Sequence, residues 1–469
     1  MRRILGHWTN RSLTPFGKIT VIKSLVLSRI VYLLISLPNP PREFIKEMND
    51  MFFKFIWNGK PHKVRKSTLF KSYEEGGLNM FDVEKFIKAL KTSWVKRLHI
   101  QEAKWKLLLF AEYPTLNRIN VLGAECVNPP FMNCKNCFWV DVFSAFNEFS
   151  NCCIPSTFLD FVCEPIFCNR YLLIDKRPAR LQNWIDNGIV HIADLVKDNG
   201  NYLNIDEFRI KYPHMMVNYL EFYGVLGAVK KYQKLCEIDM VNETPVPVGE
   251  LVPNTWSILL NGSKGSRLIY EKLKASNSKP PCIKRWNERF EGLEWNEIFG
   301  KITKTTVDTS LRWFQFRVVH RILVTNKTLK QMKIKTNDKC TFCNAFTESI
   351  EHLLYECIHV QRFWNKLLDW IKSKCKHCDR LTGFNLQLII FGISKDFKSD
   401  AVFDLLLLMA KKYIYYCKCL DKPLNFLCFQ KEVGKRYVIE KYMYNTKCQW
   451  QKYVTKWACY RDLIESVPL

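Results

Sequence analysis

Four residues stand at a spacing that suits a metal ion: Cys340, Cys343, His352 and Cys357, in the pattern Cys-x2-Cys-x8-His-x4-Cys. Three thiolates and an imidazole form a closed tetrahedral set, the ligand combination that Zn2+ takes in structural sites, with no position left for an activated water. The spacing resembles that of a zinc knuckle with a lengthened central loop. His359 could replace His352 only by breaking the usual ligand order. The competing reading is that the cysteines are small buried residues and that His352 packs or caps. The other two Cys-x-x-Cys pairs, Cys134/Cys137 and Cys375/Cys378, have no second pair at instructive spacing and read as coincidence.

Charge supplies the second kind of chemistry. The chain carries 71 lysines and arginines against 45 carboxylates, a net charge of +26 over 469 residues. Such an excess calls for a polyanionic partner. The charge is concentrated in two places. The first 71 residues hold 14 basic side chains against Glu43, Glu47 and Asp50, and their loop Lys60, Lys63, Arg65, Lys66 has no acidic residue close by. Lys301 to Cys340 holds ten basic residues against Asp308 and Asp338. There Trp313, Arg317, His320 and Arg321 fall at neighbouring positions of one helix, with Arg312 beside them. These cations suit phosphates, and Trp57, Trp313, Phe314 and Phe316 could stack on unpaired bases. Against this, aromatics at helical spacing usually fill a core, and the arginines have acidic neighbours with which to pair.

Catalytic signatures are missing. No two aspartates are adjacent anywhere in the chain, so the paired metal-binding aspartates of a polymerase are not present as a motif. There is no P-loop and no Gly-x-Ser-x-Gly elbow. His7, His99, His191 and His214 have no partners at useful spacing. The expectation is a protein that is not an enzyme and has no small-molecule substrate.

The elements that must position these residues read as mainly α. At 48% hydrophobic and 14% aromatic, the chain has enough apolar matter for sizeable cores. Thr14 and Pro15 open a helix with Ile19, Ile22, Val26, Ile30 and Leu33 on its buried face, ending at Pro38, Pro40 and Pro41. A second helix runs from about Arg42 to Trp57 and stops at Asn58 and Gly59; a third follows the Gly76-Gly77 turn, through Phe81, Phe86, Ile87, Leu90 and Trp94. Thr309 or Ser310 could cap the basic helix. The middle is broken by prolines, with a linker expected around Pro245, Pro247, Gly249 and Pro253 and a break at Pro280 and Pro281. Phe403, Leu406, Leu407 and Ala410 mark a helical tail. Neither Leu25 to Leu37 nor Val402 to Ala410 reaches the ~20 apolar residues of a membrane span. Ile4 and Leu5 do not extend into a secretory h-region, and 19 scattered cysteines suit a reducing compartment. The expected location is intracellular, cytoplasmic or nuclear, away from membranes.

Taken in order, the motifs resemble the C-terminal region of a LINE-type, non-LTR retrotransposon polyprotein, downstream of its reverse transcriptase palm. The residues that carry the resemblance begin with Trp8, Leu13, Thr14 and Gly17-Lys18-Ile19, then Phe55-Ile56-Trp57-Asn58-Gly59-Lys60, then Gly76-Gly77-Leu78 with Asp82, Ala89, Trp94 and Arg97. Farther on, Leu311 to Arg317, His320 and Arg321 precede the Cys340, Cys343, His352, Cys357 set, followed by Phe363 and Trp364. The resemblance is strong over 1–98 and 305–370 and weak elsewhere. It implies a thumb-like basic helical segment over 1–100, a mixed connecting region over 101–300, a basic helix with the Cys-Cys-His-Cys zinc segment over 301–370, and a helical segment over 371–469. The function it implies is binding of RNA or single-stranded DNA by a fragment without its own polymerase site. The contacts would be Lys60, Lys63, Arg65, Lys66, Arg312, Trp313, Arg317 and Arg321. The alternative is an inactive transposon-derived relic with no nucleic-acid partner; an enzymatic role would survive only as a thumb supplied in trans.

Overall fold

The computed structural model describes residues 1–100, 103–119, 123–127, 132–239, 254–261, 265–274, 278–375, 381–393 and 399–467. The expected linker at Pro245 to Pro253, together with Pro129, Pro130 and Cys378, lies outside them. The described chain is mainly α. Its strands are one antiparallel pair, Leu173–Ile174 with Arg177–Pro178, in register Leu173 to Pro178 and Ile174 to Arg177. Asp175 and Lys176 take positive φ between them, as a two-residue hairpin loop requires.

Two compact units interleave along the sequence. The first gathers Met1–Val26, Met51–Met80 and Ser278–Leu469; the second gathers Leu27–Asp50 and Phe81–Asn277. Each unit is completed by segments far apart in the chain. In the second unit the helix Cys137–Asn151 packs on Val83–Ile100. A continuous core with Val142, Phe146, Phe149, Phe161, Ile192 and Val229 at its centre gives the proline-broken middle its own stability.

The N-terminal helix shows how a regular pattern can slip. Ile19, Ile22 and Val26 are buried as their spacing predicts, but Leu33 is exposed and Leu34 is buried in its place. The cause is local geometry. After the α-helix Pro15–Val21 the chain takes a π turn over Ile22–Val26 and a 3-10 turn over Leu27–Arg29, before the α-helix Val31–Ser36. A π turn absorbs an extra residue and so shifts the apolar phase by one position. Thr14 has N-cap backbone geometry, but its hydroxyl makes no capping bond. By length and apolarity the 22-residue stretch Pro15–Ser36, longer than the apolar run Leu25 to Leu37, could cross a membrane. Within the protein, however, it buries Ile19, Ile22, Val26 and even Lys18, whose ammonium donates to the Phe55 carbonyl at 2.8 Å and to the Asn58 side chain.

The helix Arg42–Trp57 ends where expected. Asn58 and Gly59 both take positive φ, and the Gly59 N–H donates to the Lys54 carbonyl at 2.9 Å, closing the helix with a Schellman-type bond. The next turn needs its glycines. A Cβ on Gly77 would lie 2.0 Å from the Lys71 carbonyl oxygen, and Gly76, at φ +80°, sits against the ring of Phe299.

The helix that carries the second basic cluster is Thr309–Val319. Asp308, one residue ahead of the expected caps, closes its N-terminus: its Oδ1 accepts from the Ser310 and Leu311 N–H groups at 2.7 and 3.2 Å. Leu311, Phe314, Phe316, Val318 and Val319 are buried, and the helix packs against Ala401–Cys419, whose Leu405 to Leu408 are all buried.

Candidate metal centre

An isolated antiparallel bridge between Lys339 and Thr347 pinches off the turn that bears the first two cysteines. Inside it the Cys340 N–H donates to the Phe346 carbonyl at 2.8 Å, and the Asn344 N–H donates to the Cys340 carbonyl at 2.9 Å, with Asn344 at φ +53°. The Phe342 N–H points at the Cys340 sulfur at 3.4 Å, a donor that stabilises thiolate character. His352 opens a five-residue π turn, His352–Glu356, which closes with the Cys357 N–H on the His352 carbonyl at 3.0 Å. In an α-helix residues five apart diverge around the axis; the wider π turn brings them closer to one side. Cys357 then serves as the N-cap position of the helix Ile358–Lys372.

These two pieces bring all four expected ligands together, their donor atoms lying within 4.8 Å of one another. Cys340 and Cys357 sulfurs are 3.9 Å apart, and Cys343 Sγ is 3.4 Å from His352 Nε2. Zinc–sulfur bonds of ~2.3 Å and zinc–nitrogen bonds of ~2.0 Å at a tetrahedral angle put two sulfurs about 3.8 Å apart, and a sulfur and a nitrogen about 3.5 Å apart. The set therefore has the dimensions of a tetrahedral metal site. Cys340 and Cys357 are fully buried and His352 nearly so, with Cys343 half-exposed. Contact with Cys357, then burial, pushes the Cys340 thiol up, while the same contact draws Cys357 down. Both must lose their protons to bind an ion, so occupancy depends on pH.

Among the described residues no other group of three or more Cys, His, Asp and Glu gathers in this way. His359 is exposed and outside the set. Cys137 is exposed, and Cys134 turns its sulfur toward the Asn136 carbonyl. Cys375 is buried against the Cys459 carbonyl at 2.8 Å.

The carboxylates that brace the centre are the residues sequence reasoning missed. Glu348 is fully buried: one oxygen accepts from the Asn326 N–H at 2.8 Å, the other from the Thr341 N–H and hydroxyl at 2.9 and 2.7 Å, and Lys418 lies 3.6 Å away. It ties the cysteine turn to the helix Asn326–Gln331 and to Ala401–Cys419. Glu351 holds Arg321 at 2.6 Å, and the Arg321 guanidinium lies 4.2 Å over Trp286. In the sequence Glu348 and Glu351 stand just before His352 in a stretch from Cys340 to Gln361 that holds no Lys or Arg, and nothing in that composition announces their burial.

The expected nucleic-acid contacts divide. Arg321 is committed to Glu351, and Arg312 donates to the carbonyls of Thr306 and Thr303 at 2.5 and 2.7 Å, closing the end of the helix Trp295–Lys304. Both guanidiniums serve the fold. Trp57, Phe314 and Phe316 are core, while Trp313 is half-buried between Trp57 and Phe316, at 6.1 and 5.3 Å. Lys60, Lys63, Arg65 and Lys66 are exposed. Trp57, whose ring lies 6.3 Å from His62 of the loop and 6.1 Å from Trp313, sets the loop beside the Thr309–Val319 helix, and partial desolvation, then the charges of Arg317 and Lys60, holds Lys63 below the usual ammonium range. Lys412 donates to the Ser310 hydroxyl at 2.9 Å; burial lowers it, Asp308 opposes that, and Arg436 and Arg317 add to it.

The metal set, its bracing carboxylates and the Thr309–Val319 helix fall inside one stretch that matches a known family. The model of a family described as zinc-binding in reverse transcriptase covers residues 282–364. This part of the chain is similar to the zinc-binding region associated with reverse transcriptases.

Proposed function

We propose that the chain binds RNA or single-stranded DNA, holds one Zn2+ through Cys340, Cys343, His352 and Cys357, and derives from the C-terminal region of a LINE-type retrotransposon polyprotein. It has no polymerase or endonuclease reaction of its own, because two-metal phosphoryl transfer needs clustered acidic ligands that no recognised motif here supplies. The metal's part is structural: four protein ligands leave it no open position, and it cross-links the cysteine turn to the π turn. The observation that carries the reading is the exposed loop with Lys60, Lys63, Arg65 and Lys66, where Lys60 and Lys63 stand close enough for their charges, with that of Arg317, to oppose one another. Like charges brought together repel one another and destabilise the fold, and an anionic backbone relieves that repulsion.

The test is a titration of single-stranded RNA at several salt concentrations. Each phosphate contact on a single strand contributes about −0.7 to the slope of log K against log salt. Replacing Lys63, Arg65 and Lys66 together by Ala should flatten the slope by about 2 units and leave metal content unchanged. A parent protein with a flat slope, or with no saturable binding at moderate salt, leaves the inert relic as the better account.

A further inference from the structure

Beside the cysteine turn lies a cleft of about 490 Å³ whose walls come from three segments of the first unit. Phe342, the residue between Cys340 and Cys343, forms one wall. The helix Ile358–Lys372 supplies Arg362 and Lys366, and the chain after Ala401–Cys419 supplies Lys422 and, at the start of the helix Phe426–Thr446, Phe426. This volume is within the ~300–1,000 Å³ of small-ligand sites. A cavity in the second unit, lined by Phe146, Glu164 and Tyr232, offers only about 40 Å³.

The chemistry of the lining is specific. Arg362 and Lys366 are four residues apart on one helical face, both exposed, and neither they nor Lys422 has an ion-pair partner among the described residues. Asp421 is the one carboxylate on the rim. The floor is aromatic: Phe426 meets the buried Phe363 edge-on at 5.5 Å. Phe342 is half-buried and makes no ring contact with another described residue, so a face of it stays available. Its position is fixed by the turn itself, since its N–H is held on the Cys340 sulfur. An aromatic wall beside an unpaired cluster of cations is the combination that takes a base by stacking and its phosphates by charge.

We infer that this cleft receives one unpaired nucleotide of a bound single strand, its base against Phe342 and its flanking phosphates on Arg362, Lys366 and Lys422. The inference rests on the nucleic-acid reading above and assigns that reading a place where the strand is gripped. It also gives the metal centre a part in recognition, because the ion's turn sets the stacking wall.

The experiment compares a fluorescent oligo-uridine strand with a strand of equal length bearing abasic sites at alternate positions, titrated at several salt concentrations. The parent should bind the intact strand at least about fivefold more tightly, with similar salt slopes for both. Phe342→Leu should erase that preference while keeping its zinc. The combined variant Arg362→Ala, Lys366→Ala and Lys422→Ala should flatten the slope by about 2 units. If Phe342→Leu loses its metal, the abasic comparison on the parent decides by itself. Equal binding of intact and abasic strands, or a base preference untouched in a metal-loaded Phe342→Leu protein, overturns the cleft and leaves the nucleic-acid reading standing. Competition by polyglutamate as strong as by oligo-uridine also overturns it, as a general acidic-chain site. No binding of either strand removes both readings together.

Discussion

At the scale of single residues, Cys340, Cys343, His352 and Cys357 gather within 4.8 Å of one another, and the fully buried Glu348 holds their turn to two neighbouring helices. Spacing alone picks out this Cys-Cys-His-Cys group, because a turn between two cysteines is a local property. The burial of Glu348 is a tertiary one, created when Thr341, Asn326 and Lys418 arrive from three segments. The ligand assignment predicts that Cys343→Ser loses the bound zinc that the parent retains through purification without chelator. Equal metal content by elemental analysis would falsify it. His320 carries a second prediction. It is buried between Phe299 and Phe316, its Nδ1 3.6 Å from the Cys282 sulfur, and burial depresses it from 6.5 to about 4. The folded state therefore keeps the imidazole neutral, while the unfolded chain takes up a proton below about 6.5. Stability is full above that pH and falls as pH drops toward 4, by up to about 3 kcal/mol from this group. His320→Gln should show a shallower acid limb in urea midpoints between pH 6.5 and 4, and parallel curves for the two proteins would exclude the effect.

At the scale of elements, the places where periodicity failed share one cause. The π turn at Ile22–Val26 moved burial from Leu33 to Leu34, and the π turn at His352–Glu356 let ligands five residues apart converge. An extra residue in a turn leaves no compositional mark, so a 3.6-residue pattern cannot announce it. Caps are nearer the surface of the sequence: Asp308 outcompetes Thr309 and Ser310 because a carboxylate can also hold Arg436, at 3.0 Å, while capping. Asp308→Ala should therefore cost more than an ordinary cap, about 2 kcal/mol or slightly above, measured as a shift in chemical-denaturation midpoint at constant slope. Asp308→Asn keeps the cap and loses only the partly buried ion pair, so it should retain about half of that stability. Equal losses in the two variants would mean that the cap contributes nothing.

At the scale of the whole molecule, composition points to a folded, basic chain and apolar periodicity to a mainly helical one, while the two units gather segments that chain order separates. Chain order is visible in a sequence; the return of Met1–Val26 and Met51–Met80 to a unit dominated by Ser278–Leu469 depends on contacts hundreds of residues apart. Those contacts are specific: Phe16 meets Phe316 edge-on at 6.4 Å, Trp57 lies 6.1 Å from Trp313, and Gly76 sits under Phe299. They bear on how the zinc-binding stretch can be studied. Residues 278–469 expressed alone contain every metal ligand and both walls of the neighbouring cleft, yet they lack the side chains that cover Trp313 and Phe316. Burying Phe16 and Trp57 contributes roughly 3–6 kcal/mol, against a typical total of ~5–15 kcal/mol for a domain. The isolated piece should therefore bind zinc but show no cooperative thermal transition by circular dichroism, whereas the full chain melts cooperatively. Adding back residues 1–80 should restore part of the transition, since that segment holds both returning pieces. A 278–469 fragment that melts as sharply as the full chain, and within a few degrees of it, would show that the N-terminal segments decorate this unit without completing it.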